Sequence, residues 1–245
     1  MIILTNKNTE QFSNWKQSIF ESGSAVLIDK EKDWTSFDVC AKLRGMVKTK
    51  KIGHAGTLDP LATGLLIVCI GKATKSIDSF QSMKKGYRTV IKLGATTKTN
   101  DSAQEEENIK DFTHVSDLQI ELALKSFVGV SLQKPPMYSA RKINGQRLYE
   151  LARRNIEVEV EPRKIEIYDI EIHSINLPFI DVSLSTSKGT YIRAIARDLG
   201  EILGTGAYLA DLRRTYIGDY NADDALKLED IQKLVNTENE SLQRN

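Results

Sequence analysis

The sequence predicts an α+β fold with a mixed, mostly antiparallel sheet flanked by helices. Segments with the alternating or continuously apolar pattern of strands lie between segments whose apolar residues recur at helical spacing. Several neighbouring strands are joined by short turns, which favours a mostly antiparallel or mixed sheet. The chain has no repeat, low-complexity tract or Pro/Gly/Ser-rich linker. One continuous domain with an inserted lobe near residues 95–155 is therefore the simplest organisation.

Local signals define the individual elements in chain order. Gly23 ends the first helix, and Thr35 with Asp38 resembles a capping box that opens the second. The run LLIVCI is apolar throughout, as in a strand buried on both faces, whereas residues 86–94 alternate. The predicted helices are 9–21, 35–47, 73–80, 115–127, 146–154, 190–202 and 228–235. The predicted strands are 24–30, 65–70, 86–94, 138–142, 157–160, 164–173, 179–186 and 209–217.

Two polar segments fall outside these elements. Residues 95–115 are polar and acidic, which predicts a mobile loop. Residues 236–245 are polar and are expected to fray.

Composition excludes several classes of protein. Of 245 residues, 40% are apolar and 27% charged, which is ordinary for a globular protein. No apolar run approaches the ~20 residues of a membrane helix, and the N-terminus lacks the pattern of a signal peptide. Cys40 and Cys69 are 29 positions apart within apolar stretches, which predicts buried, reduced thiols and a cytoplasmic protein.

Charge is segregated along the chain although the net charge is only +1. Residues 72–98 carry a net +6 and residues 134–154 a net +5, whereas residues 101–121 carry −6 and the tail 219–245 carries −4. Such segregation can build a basic face for a phosphate backbone. On charge alone, an ordinary solvated surface is the alternative.

The glycine-punctuated segment GHAGTLDPLATG, residues 53–64, is the strongest candidate for a site. Its glycines allow close approach to a ligand, and the proline after Asp59 holds that carboxylate on a rigid turn. Turn initiation alone would also explain Asp59. Gly71 and Lys72 lack the spacing of a phosphate-binding loop, and the three histidines are too far apart to indicate a metal site. A Ser or Cys nucleophile with a His base stays open, although no GxSxG motif occurs.

Five blocks in order resemble the TruB family of tRNA pseudouridine-55 synthases. They cover about residues 24–218 and are KIGHAGTLDPLATGLLIVCIGKATK (51–75), YR…LG…T-x-D (87–101), QKPPMYSARKINGQRLYELAR (133–153), SKGTYIRAIARDLGEILG (187–204) and AYLADLRRTYIG (207–218). The family's opening Lys-Pro-x-Gly segment is altered here, because residues 30–36 keep Lys30 and Ser36 but lack the proline and glycine.

The resemblance implies a single pseudouridine synthase catalytic domain at residues 24–218. An N-terminal helical extension, 1–23, would precede it and a short acidic segment, 219–245, would follow. The 27 residues after Gly218 are too few for the PUA-type RNA-binding domain of many relatives.

The same resemblance implies isomerisation of uridine 55 in the tRNA T-loop, after the base has been flipped from its stack. Asp59 would be the nucleophile, Tyr87 would stack on the base, and Arg193 would pair with Asp59. His54 would stand beside the displaced base, and Tyr191 would belong to the supporting shell. The candidate RNA-binding residues are His54, Lys30, Lys75, Arg141, Arg147 and Tyr191.

An isomerisation needs no energy source, so no cofactor, metal, membrane or obligatory protein partner is expected besides tRNA. A free Asp titrates near ~3.9 and would be ionised at pH 7. Its carboxylate could attack uracil C6 or C1′, or assist formation of a glycal. Two other functions stay open: a catalytically silent RNA-binding or tRNA-chaperone protein on the same fold, and a nucleoside hydrolase or transferase.

Overall fold

The structure, a computed structural model, describes residues 1–139, 142, 143, 145–154, 156 and 158–243. The helices are α1 (Phe12–Glu21), α2 (Ser36–Val47), α3 (Ile77–Ser82), α4 (Asp117–Ser126), α5 (Leu148–Arg153), α6 (Ile192–Ile202) and α7 (Leu228–Gln243). The 3-10 turns are Thr9–Gln11, Gly71–Ser76 and Ala222–Asp224.

The strands follow the same chain order. They are β1 (Ile3–Leu4), β2 (Ser24–Lys30), β3 (Ile52–His54), β4 (Thr63–Ile70), β5 (Lys85–Leu93), β6 (Gly129–Gln133), β7 (Lys142–Ile143), β8 (Gln146–Arg147), β9 (Arg163–Asn176), β10 (Phe179–Thr186), β11 (Ala207–Ile217) and β12 (Tyr220–Asn221). The chain forms two compact units, and their boundaries fall inside β5 and β11.

The first unit comprises Met1–Tyr87 and Arg213–Asn245. Its strand order is β1-β2-β4-β11, with β3 also on β4 and β12 on β11. Every residue of β2 pairs with β4 in the antiparallel direction, and β11 pairs with β4 in parallel. Successive β4 side chains enter apolar clusters on opposite faces, since Leu66 and Val68 join one cluster and Leu65 and Ile67 the other. Burial on both faces explains why the β4 sequence is apolar throughout.

The second unit comprises Arg88–Leu212, with strand order β11-β5-β10-β9-β6. β9 pairs antiparallel with both β10 and β6. Helices α4 and α6 pack together, and α4 also packs on β9. α6 buries its apolar face, including Ile192, Ile195 and Leu199.

The predicted α+β class and the mixed, mostly antiparallel sheet are confirmed. The predicted strands at 24–30 and 179–186 have the observed bounds, and Thr35 and Asp38 form the predicted capping box. Both cysteines are free and buried, as predicted. No helix among the described residues has the length and apolarity to cross a membrane.

Four local predictions differ from the structure. Residues 158–160 form no strand, whereas β6 was not predicted. The tail is helical to Gln243 rather than frayed, because apolar residues of α7 join a core cluster and Glu238 pairs with Lys16. Residues 95–115 contain no regular element, as expected. They differ from the predicted mobile loop because Thr96 and Glu107 exchange two backbone hydrogen bonds that connect its two halves.

Candidate active site

The loop between β3 and β4 presents Asp59 partly exposed at its turn. The Ala62 amide donates to the Asp59 carbonyl at 3.0 Å and closes that turn. Gly64 has a φ of +97°, and a Cβ there would lie 2.3 Å from the Arg214 carbonyl oxygen. Only glycine fits where β4 approaches β11 so closely, so the end of the loop is fixed by the sheet.

Lys30 and Ser36 hold the middle of this loop from inside the first unit. The Lys30 ammonium, at the end of β2, donates to the carbonyls of Glu31, Trp34 and Pro60 at 2.7–3.2 Å. The Ser36 hydroxyl accepts from the Leu58 amide at 2.8 Å and donates to the Leu58 carbonyl at 3.2 Å. The backbone on both sides of Asp59 is therefore fixed by buried side chains.

Burial lowers the pKa of Lys30 to about 8, and the charge of Asp59 is the largest opposing influence. Only 1% of Lys30 is exposed. The prediction that Lys30 contacts phosphate is therefore wrong, because its ammonium is enclosed and already donates to three carbonyls.

Arg214 on β11 binds both ends of the loop. Its Nη2 donates to the Gly56 carbonyl at 3.1 Å and its Nε to the Leu65 carbonyl at 2.8 Å, with a longer 3.5 Å contact from Nη1 to the Thr57 carbonyl. Arg214 is 1% exposed. Burial lowers the pKa of Arg214, while the charge of the Tyr87 side chain opposes this effect.

Tyr87 and His54 lie around the same guanidinium. Tyr87 is a buried residue of β5, and its electrostatic interaction with Arg214 raises the pKa of that guanidinium. Burial lowers the pKa of His54 below 6.5, and the nearby charge of Arg214 lowers it further, while hydrogen bonding to the Gly56 backbone opposes both. His54 is therefore a neutral imidazole at neutral pH, and its buried Nδ1 has no hydrogen-bond partner among the described residues.

In the second unit, Arg193 lies on α6 and Tyr191 lies just before that helix. Within this unit the Arg193 guanidinium pairs with Asp101 at 3.4 Å and donates to the carbonyls of Thr99 and Tyr138 at 2.9 and 2.8 Å. The Tyr191 backbone exchanges two hydrogen bonds with the Gln133 side chain, which fixes the start of α6. The predicted pairing of Arg193 with Asp59 stays a prediction.

Part of the basic stretch 72–98 is neutralised, because three of its seven cations pair with acids of the second unit. Arg88 pairs with Asp181, Lys92 with Glu106 and Lys98 with Glu107. Lys85 is buried, and its ammonium donates to the carbonyls of Gln81 and Met83. Lys75 is exposed, as a phosphate contact requires, whereas Arg141 and the side chain of Arg147 lie outside the described residues.

The fold and this loop are those of a pseudouridylate synthase. Residues 44–192 match the family model described as "TruB family pseudouridylate synthase (N terminal domain)". Residues 193–245 match "tRNA pseudouridylate synthase B C-terminal domain". Within that class, the chain belongs to the TruB family.

Similar proteins agree with this assignment. Two relatives are named tRNA pseudouridine synthase B. The one from Chlorobaculum tepidum is 47% identical over 216 residues, covering 86% of this chain and 90% of the relative. The one from Parabacteroides distasonis is 44% identical over 222 residues, covering 88% and 94%. A solved structure titled "Crystal Structure of a Cbf5-Nop10-Gar1 Complex" has a TM-score of 0.69 and 26% identity, over 89% of this chain and 56% of that one.

Sequence reasoning missed the roles of Arg214 and Asp101. Both stand in blocks that carry the family resemblance, at the second arginine of LRR and at the end of T-x-D. Position in a motif was thus the only signal for them. Their contacts depend on residues far away along the chain, 149 positions in the case of Arg214 with Leu65.

Proposed function

We propose that this chain isomerises uridine 55 in the T-loop of tRNA to pseudouridine, with the Asp59 carboxylate as nucleophile. The observation that carries the proposal is the support beneath the loop: Lys30, Ser36 and Arg214 bind its backbone on both sides of Asp59. A carboxylate on such a loop is held in place before substrate arrives, which is what nucleophilic attack requires.

The reaction breaks the C1′–N1 bond of uridine and forms a C1′–C5 bond. The C5 proton leaves and N1 gains a proton, so substrate and product have the same atoms and no oxidant is consumed. Asp59 attacks C1′ or C6, or assists formation of a glycal. The base must first leave its stack, and a T-loop has splayed bases that make this less costly.

The neighbouring residues have defined tasks in this scheme. The Tyr87 ring stacks on the flipped base, and its backbone is fixed in β5. The neutral His54 imidazole fills the space that the base leaves, which costs less desolvation than a charged ring would. Within the second unit Asp101 fixes the Arg193 guanidinium, the group to which the family resemblance assigns the task of keeping Asp59 ionised.

The tRNA backbone is bound by a lysine surface of the first unit, which we define as Lys48, Lys50, Lys51 and Lys75. All four side chains are exposed. The Gly71 amide donates to the Lys51 carbonyl at 2.8 Å, which brings the Gly71–Ser76 turn that bears Lys75 beside the run at 48–51. In this proposal, these lysines take the RNA-binding role that was predicted for most of the stretch 72–98. The enzyme would meet its tRNA substrate in the cytoplasm.

Two experiments test the proposal. Purified protein is incubated with unmodified tRNA and no added cofactor, and pseudouridine is mapped by carbodiimide modification and primer extension. The expected product is a single pseudouridine at position 55, and an unmodified transcript that the protein nevertheless binds would support the catalytically silent alternative.

The second experiment measures tRNA affinity against salt concentration. Replacing Lys48, Lys50 and Lys51 by Gln should reduce the slope of log affinity against log salt by about 2, since each phosphate contact contributes roughly 0.7–0.9. A matched triple variant at Lys7, Lys227 and Lys233 removes the same charge from exposed lysines that are already ion-paired, and it should leave the slope unchanged. Equal effects of the two variants would refute the lysine surface.

A further inference from the structure

We propose that Arg214 is a positioning residue that clamps the two ends of the segment 56–65, which carries Asp59. This inference rests on the proposed function for its kinetic consequences, but the clamp itself is a property of the loop.

The clamp is visible in the distribution of hydrogen bonds. The clamped segment runs from Gly56 in the loop to Leu65, the third residue of β4, and Arg214 donates to the carbonyls of both residues, at 3.1 and 2.8 Å. A guanidinium has its donors fixed in one plane, so binding both carbonyls fixes the separation of the loop's two ends. A lysine ammonium is a single point of donation and could not set that separation.

The backbone of Arg214 contributes as well. Its residue pairs with Gly64 in the parallel β11–β4 register, and the glycine there has no space for a side chain. Gly56 has a φ of +99°, in the region that favours glycine, while a Cβ at Gly56 would be 3.7 Å from the Arg214 guanidinium. The two glycines thus let the loop reach the arginine from both ends.

Because Arg214 is buried, the loss of its hydrogen bonds to the Gly56 and Leu65 carbonyls should change the loop conformation. With 1% of Arg214 exposed, water cannot replace a lost donor to the Leu65 carbonyl without a rearrangement of the loop. The nucleophile lies between the clamped ends, so a shift of either end moves Asp59.

The neighbouring residue Arg213 provides a matched control. Successive residues of a strand face opposite ways. The Arg213 guanidinium binds both carboxylate oxygens of Asp29 at 2.8 and 3.0 Å and is partly exposed. Arg213→Lys therefore removes a planar fork that binds Asp29 of β2, while the Arg214 hydrogen bonds to Gly56 and Leu65 keep both partners.

The first measurement is hydrogen exchange of peptides covering residues 55–65 in the full chain. In Arg214→Lys the Leu58 and Ala62 amides should exchange at least tenfold faster than in the parent, while Arg213→Lys matches the parent. Unchanged exchange in Arg214→Lys would overturn the clamp whether or not the protein makes pseudouridine.

The second measurement is the single-turnover rate at saturating enzyme, together with the tRNA dissociation constant. Arg214→Lys should slow the chemical step at least thirtyfold and change tRNA affinity less than threefold, and Arg213→Lys should change neither by more than threefold. Equal losses of rate and affinity would overturn the positioning role. A parent without turnover would instead refute the proposed function, and the exchange result would still decide the clamp.

A variant on the other side of the contact covers the case in which Arg214→Lys does not fold. Gly56→Ala strains the loop where Arg214 binds it, yet the added methyl has ordinary contact distances. It should fold, accelerate exchange of the Leu58 amide and slow the chemical step. A folded Gly56→Ala protein with parental exchange and rate would contradict the clamp.

Discussion

Lys30→Met should change the pH dependence of stability, because the Lys30 ammonium is enclosed by the fold. A pKa lowered from 10.5 to about 8 means that folding disfavours the charged form by about 3 kcal/mol below pH 8. As the pH rises above 8, folded Lys30 loses its proton while the unfolded chain keeps it. The unfolded state then binds more protons, so the free energy of unfolding of the parent rises with pH.

The variant lacks this titration, so the difference between the two proteins isolates it. Between about pH 7 and about pH 9.5, the unfolding free energy of the parent should rise by about 2 kcal/mol relative to Lys30→Met. The measurement is urea unfolding followed by circular dichroism at several pH values in that range. Lys50→Met, which removes an exposed lysine from the same unit, is the control.

A difference that stays constant with pH would refute the reasoning, since it would mean that water reaches the ammonium freely. In that case Lys30 would again be a candidate phosphate contact, and Lys30→Met would reduce the salt dependence of tRNA binding. The enclosed ammonium predicts no such reduction.

Three further substitutions test the site. Asp59→Asn should abolish turnover while tRNA still binds; a rate within tenfold of the parent, about 1.4 kcal/mol of barrier, would refute the nucleophile. Ser36→Ala leaves the Leu58 amide and carbonyl without their partner and should lower the free energy of unfolding in urea by about 2 kcal/mol, so a loss below about 0.5 kcal/mol would contradict that role. Arg193→Lys loses the planar fork between Asp101 and two carbonyls and should reduce the single-turnover rate more than tRNA affinity; equal reductions would place Arg193 on the RNA.

Local patterns predicted the parts of the fold that depend on local chemistry. Thr35 and Asp38 are three residues apart, and their reciprocal hydrogen bonds could be inferred from that spacing. The LLIVCI run of β4 consists of apolar residues only, and this composition indicates a strand that is buried on both faces, as observed. The Asp59 loop was identifiable because glycine and proline restrict the backbone wherever they occur.

Contacts distant in sequence explain what could not be predicted. Lys30, at the end of β2, looks like an exposed cation until the turn at Pro60, 30 positions further along the chain, adds a carbonyl to those of Glu31 and Trp34. The basic stretch 72–98 looks like a continuous basic face, but acids from two other segments neutralise Arg88, Lys92 and Lys98. Polarity predicted a frayed tail, whereas Leu234 and Val235 place α7 against the core.

The split of the first unit between residues 1–87 and 213–245 affects how the protein is made. The nucleophile loop leaves the ribosome early, but the arginine that binds its two ends is encoded 149 positions after Leu65. At about 5–20 residues per second, that interval lasts roughly 7–30 s. Residues 88–212 are continuous and can fold during the wait. Lys30 and Ser36 precede Asp59 and are available to its loop at once, whereas the Arg214 hydrogen bonds to Gly56 and Leu65 can form only after residues 88–212 have been made.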